Sequence, residues 1–308
     1  MLDIQQIVAD VVRPFGDGRY VQDWQARAAR AGALADYYSL RQADNPFFEL
    51  DDDTLGVGFG ADSILRQGVH QMFSAAFEST TISYAFPMYE LAGDERNVFE
   101  AHYGGVDSVE KMALTAIAWA IISLSPTRRD MLLLCGQLYE EGLHLKALST
   151  LLGIDEAQQP WITAKREPFL TFARTAESIT EYAIVQNCLS EGEGALAAAE
   201  IQYALRALPR DSPAAQVARR ITAEETHHAL LGYLLVRQHD AYDEQFYNAV
   251  IDRYRTVEPL RPPETAKGRR QRFAVQLVQH YVKTRSVAKV EAVLVDAVDR
   301  LRRTGQLG

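Results

Sequence analysis

The stretch Ile221–Leu230 reads ITAEETHHAL and sets two glutamates and two histidines into five positions of an amphipathic helical pattern. Side-chain direction on an α-helix turns by about 100° per residue, so each residue's facing follows from its number. With Ile221 at zero, Val217, Ala218, Gly232 and Leu235 fall within about 60° of it and make a core stripe. Glu225 and His228 lie inside that stripe, Glu224 lies on its edge, and His227 points away towards solvent. A carboxylate and an imidazole aimed into a core need a partner, because an uncompensated buried charge is strongly destabilising. A chain built this way must place a neutralising group where this helix packs.

A second helix repeats the demand. With Glu141 at zero, Leu134, Leu138, Leu145, Leu148 and Leu152 surround both Glu141 and His144. One Glu-x-x-His on a helix is usually a surface pair or a satisfied core histidine; two copies on leucine-rich faces weaken that reading. Each helix also belongs to a hairpin. The turn SLSP (residues 123–126) precedes the first, with Ser125 and Pro126 as cap and first-turn proline, and LPRDSP (residues 208–213) precedes the second, with Ser212 and Pro213 in those roles. In an antiparallel hairpin the residue at the height of Glu141 is Glu110, on a face with Leu114, Ile117, Ile121 and Leu124. At the height of Glu225 it is Glu191, on a face with Ile184, Cys188, Ala195 and Ala198. Two alternatives stay open at this stage: DSVE (residues 107–110) also reads as a capping box, and Glu193 competes with Glu191 from a second apolar stripe carrying Leu189 and Leu196.

Glu, then Glu-x-x-His, then Glu, then Glu-x-x-His, all projecting inward, resembles the ferritin-like carboxylate-bridged dinuclear metal proteins. The resemblance covers residues 107–239. It implies an all-α fold, a ferritin-like four-helix bundle with additional N- and C-terminal helices, and metal ligation by Glu110, Glu141, His144, Glu191, Glu225 and His228, with Glu141 and Glu225 bridging. The implied cofactors are two iron ions, or a manganese–iron pair, with O2 as co-substrate. Oxygen and imidazole donors suit iron or manganese, and the lack of thiolates argues against structural zinc. The match stops at the superfamily: Leu148, Ala195 and Ile221 stand where particular subfamilies carry a radical tyrosine, a threonine and an additional histidine.

Composition narrows the partners. A net charge of -9 excludes the basic field that nucleic-acid binding requires. The longest apolar run, Met112–Leu124, falls short of the roughly 20 residues that span a bilayer. No secretory signal is read at the amino terminus, and Cys135 and Cys188, the two cysteines, sit in helical apolar patterns. These features point to a cytoplasmic protein without a disulfide framework. Three segments are expected: an N-terminal helical extension (1–106), the dinuclear metal bundle (107–239) and a C-terminal helical extension (240–308). In the first, helices are expected at 2–13, 19–43 and 62–78, with an acidic loop at 50–62. One helix is expected from Pro168 to Leu208. In the last segment, the basic residues Lys267, Arg269, Arg270 and Arg272 read as a solvated connection.

Gly194 and Ala195, beside Glu191, are the candidate wall of a substrate cavity: small residues there cost helix stability, and either space or close helix packing is the return. Asn187 and Gln137 are candidates for orienting the histidines, while Tyr139, Tyr182 and Tyr233 read as packing residues. The expected activity is that of a non-heme dinuclear iron oxidase or oxygenase acting on a small organic substrate by hydroxylation, desaturation, C–C cleavage or N-oxygenation, with an external electron donor and a homodimeric assembly. Iron oxidation and storage is the alternative from the same centre, and a metal-free helical scaffold is the alternative without one.

Overall fold

The structure, a computed structural model, describes residues 90–124, 127–155, 162–209, 212–239 and 242–307. The helices expected at 2–13, 19–43 and 62–78, and the acidic loop at 50–62, lie outside these residues. Among the described residues the secondary structure is helical throughout, without strands. None of these helices is long and apolar enough to cross a membrane. The chain divides into two compact units, with the boundary in the described part at Glu167/Pro168.

In the first unit, α1 (Gly93–Tyr103) precedes a hairpin of α2 (Asp107–Ser123) and α3 (Arg128–Leu152). The cap of α3 is Thr127 rather than Ser125. Its hydroxyl accepts from the Asp130 N–H at 3.3 Å while the Asp130 carboxylate accepts from the Thr127 N–H at 3.0 Å. This reciprocal pair satisfies two amide groups that the first helical turn leaves over. At the other end Gly153 takes a left-handed conformation (φ 61°), where a side chain is strained, and its N–H returns to the last turn. Leu114, Ile117 and Ile121 of α2 and Leu134, Leu138 and Leu148 of α3 are buried, as the 3.6-residue period requires.

The second unit departs from the expected single helix between Pro168 and Leu208. A short helix α4 (Glu167–Ala173) stops, and Ser178 caps a new start by accepting from the Glu181 N–H at 3.1 Å. From there α5 (Ile179–Ala183), a π-helical segment (Ile184–Glu191) and α6 (Gly192–Ala204) run on continuously. The antiparallel partner is α7 (Pro213–Gln238), opened as expected by Ser212, whose hydroxyl accepts from the Ala215 N–H at 3.2 Å, and by Pro213 in the first turn. The tail supplies α8 (Glu244–Val257), α9 (Ala266–Thr284) and α10 (Val287–Thr304). Here α9 packs on the π segment and α6, and α10 packs on α6 and α7. The basic connection is not simply solvated: Arg270 pairs with Glu200 and Glu193 of α6, and Lys267 pairs with Glu258.

Candidate metal-binding site

In the first unit, Glu110 from α2 and Glu141 and His144 from α3 converge. One ligand atom of each lies within 4.8 Å of the others, and all three side chains are buried. Val106 occupies the N-cap of α2 and no side chain caps it, so Glu110 does not form the capping box that DSVE allows. His144 Nδ1 stands 3.4 Å from Glu141 Oε2. The Gln137 amide approaches Glu141 Oε1 at 3.5 Å, a weak hydrogen bond one turn back on the same helix face.

The second unit assembles the same three side-chain types. Glu191 closes the π segment, Glu225 and His228 come from α7, and a ligand atom from each again lies within 4.8 Å of the other two. All three are buried. Glu193 faces the other way, beside Arg270 at 3.6 Å, and burial pushes its carboxyl up against the opposing pull of Lys267 and Arg270. Glu191 stands in the triad and Glu193 in an ion pair.

The π segment supports the second triad in a way that a regular helix does not. The Gln186 amide donates to Glu191 Oε1 at 2.6 Å from five residues back. In an α-helix that offset lies off the face; in a π-helix, whose repeat is i→i+5, it falls onto it. Asn187 donates to the main-chain carbonyl of His228 at 3.1 Å and so ties the π segment to the α7 backbone. Close approach of the two helices depends on Gly232. A Cβ there would lie 2.4 Å from Asn187 Cβ and 3.0 Å from the Cys188 main-chain nitrogen.

Two neighbours of the second triad differ from their expected roles. Glu224 is fully buried, not marginal, and accepts from Arg220 at 2.6 Å. His227, expected in solvent, is only 5% exposed. Burial, reinforced by neighbouring His228, lowers its pKa to about 4 against the pull of Glu224, so its imidazole is neutral near pH 7. The cause is the packing of α7, which meets α5, the π segment, α6 and α10 and leaves little solvent face.

Of the candidate cavity residues, Ala195 is fully buried, and Gly194 faces the carboxylates of Glu225 and Glu191. Tyr182 and Tyr233 are buried in the second unit, where the Tyr233 ring packs on Tyr281 at 5.6 Å, and Tyr139 is half-buried in the first. Cys135 and Cys188 are free thiols, and neither belongs to a triad; burial pushes the Cys188 thiol well up from its ordinary value. Comparison with known proteins gives no matching family model, curated protein or solved structure.

Each triad has the donor set of a hard or borderline divalent cation: two carboxylates and one imidazole, without thiolate. Two ionised carboxylates beside a neutral imidazole leave two negative charges in a buried space, and one divalent cation cancels them. Burial of such a pair with nothing to offset it costs several kcal/mol per ion. The residues therefore fit metal ions, and the buried acidic and histidine groups constitute a possible metal-binding cluster.

Proposed function

We propose that the protein is a non-heme dinuclear iron oxidase or oxygenase, in which the two triads hold two iron ions, or manganese and iron, as one carboxylate-bridged pair in a ferritin-like four-helix arrangement. The observation that carries the reading is the recurrence of one buried set, Glu plus Glu-x-x-His, on two successive helical hairpins. The acids of each triad converge on a histidine, while Arg220 pairs with Glu224 and Arg270 with Glu193 and Glu200.

The bound metals would supply reductive activation of O2 for the oxidation of a small organic substrate. The chain's own residues have definable tasks around them. Glu110, Glu141, Glu191 and Glu225 would hold the metals by their carboxylates, and the place of Glu141 and Glu225 in the motif would suit them to bridging. His144 and His228 each offer one neutral nitrogen, so that the donor set carries four negative charges for two divalent ions. Gln186 holds the Glu191 carboxylate by its Oε1 oxygen. Leu134, Leu138, Leu148, Ala195 and Leu235 are buried apolar residues of the ligand-bearing helices and exclude bulk water, which strengthens every charge interaction within. An external donor would return the electrons, and the assembly would be a homodimer in the cytoplasm.

The additional helices α8–α10, packed on the second hairpin, favour an enzyme over an iron store, for which a bundle suffices. The test is O2 uptake by metal-free protein loaded anaerobically with Fe(II). The oxygenase reading expects oxidation to stop at about two irons per chain until a reductant is added. Deposition of ferric iron far beyond that ratio would replace it with the storage reading.

A further inference from the structure

The first turn of α6 holds two glycines, Gly192 and Gly194, on either side of Glu193. Glycine is a poor helix residue, so each invites the question of what its missing side chain makes room for. At Gly192 a Cβ would meet only the Ala274 methyl, at 3.6 Å, an ordinary contact. At Gly194 it would meet Glu225 Oε2 at 3.0 Å, Glu191 Oε2 at 3.7 Å and Glu225 Cδ at 3.9 Å. The space a side chain would take at Gly194 is thus filled by a carboxylate from the opposite helix, and the backbone of α6 is where that carboxylate rests.

From this we infer that Gly194 is a positioning residue for the second triad: its bare Cα sets how close the Glu225 carboxylate comes to Glu191, and so whether both can share one cation. The inference rests on the proposed metal centre. Carboxylate–carboxylate approach is repulsive until a cation lies between the two, so the distance between Glu225 and Glu191 decides affinity. A methyl at 194 stands against the far end of a flexible side chain rather than against backbone. The helix can therefore accept it and the carboxylate must yield. Gly194 itself contributes no ligand atom. It acts only through Glu225.

The experiment measures metal content and metal affinity for wild type, Gly194→Ala, Gly194→Leu and Gly192→Ala, together with the thermal midpoint of each metal-free protein. Wild type and Gly192→Ala are expected to bind two irons per chain with equal affinity. Gly194→Ala should bind iron at least tenfold more weakly, and Gly194→Leu more weakly still. The metal-free midpoint of Gly194→Ala should not fall, because alanine favours the helix. A packing role would lower that midpoint along with the metal affinity, and this joint loss overturns the inference. Two irons held with wild-type affinity by Gly194→Leu overturn it as well while leaving the metal centre standing. A wild-type chain that binds no metal overturns both.

Discussion

The hairpin of α2 and α3 and the hairpin of the π segment, α6 and α7 present the same three side-chain types by different backbone means. In the first, regular α-helices bring Glu110, Glu141 and His144 together, and the supporting amide of Gln137 stands one turn away at 3.5 Å. In the second, a π segment brings Gln186 to Glu191 at 2.6 Å, Asn187 ties that segment to the backbone at His228, and two glycines, Gly194 and Gly232, give way to a carboxylate and to a neighbouring helix. The difference teaches that one donor set does not dictate one backbone. The first triad follows from helical periodicity, whereas the second depends on close approaches that a single methyl group disturbs. The second should be the more easily broken.

The largest effects belong to the ligands. His144→Ala and His228→Ala should each weaken binding at their own triad by more than about 100-fold, beyond the range ascribed to outer-shell partners, with helix content by circular dichroism unchanged. His227→Ala, although it opens a buried space and costs roughly 1–3 kcal/mol of stability, should keep its metal. Equal metal loss in the His227 and His228 variants would mean that the ligand histidine has been misassigned.

Next comes Gly232→Ala. Because its Cβ would press on Asn187 and on the Cys188 backbone, the π segment must shift, at a cost of about 1–3 kcal/mol in urea unfolding. Metal binding at the second triad should weaken with it while the first triad stays as it was. A variant as stable as wild type would show that the two helices have slack there, and the contrast between the hairpins would lose its basis.

The smallest effects separate the two amides. Gln186→Ala removes a 2.6 Å hydrogen bond to a buried carboxylate and should lower metal affinity by about 10–100-fold. Gln137→Ala removes a contact at the limit of hydrogen bonding and should stay below about tenfold. Isothermal titration of the two variants with Fe(II) under argon decides the order, and a larger loss from Gln137 would reverse it.

Much of this was legible in the sequence where local rules govern. Ser212 and Pro213 start α7 because an N-cap hydroxyl and a first-turn proline suit no other place so well, and Glu141 with His144 lies among leucines because 3.6-residue periodicity puts them there. The break after Ala173 and the π segment were not legible. Both arise from how residues 174–191 pack, and the widened turn moves Gln186 onto the face of Glu191, where a 100° step does not place it. Burial of His227 was missed for a related reason: a single core stripe was assigned to α7. The run LLGYLLV (residues 230–236) is apolar on every side, and that is the mark of a helix covered all round. At Gly194 the sequence leaves cavity space and close helix packing both open, and the Glu225 carboxylate stands where a side chain would begin.

The central proposal is that Glu110, Glu141 and His144, and Glu191, Glu225 and His228, each hold a metal ion. Crystals of protein expressed in iron-supplemented medium, measured on both sides of the iron absorption edge, test it most directly. The account predicts two anomalous peaks per chain, one ligated by each triad, with elemental analysis giving about two iron or manganese ions. No peak at either triad, or zinc alone bound elsewhere, would contradict it.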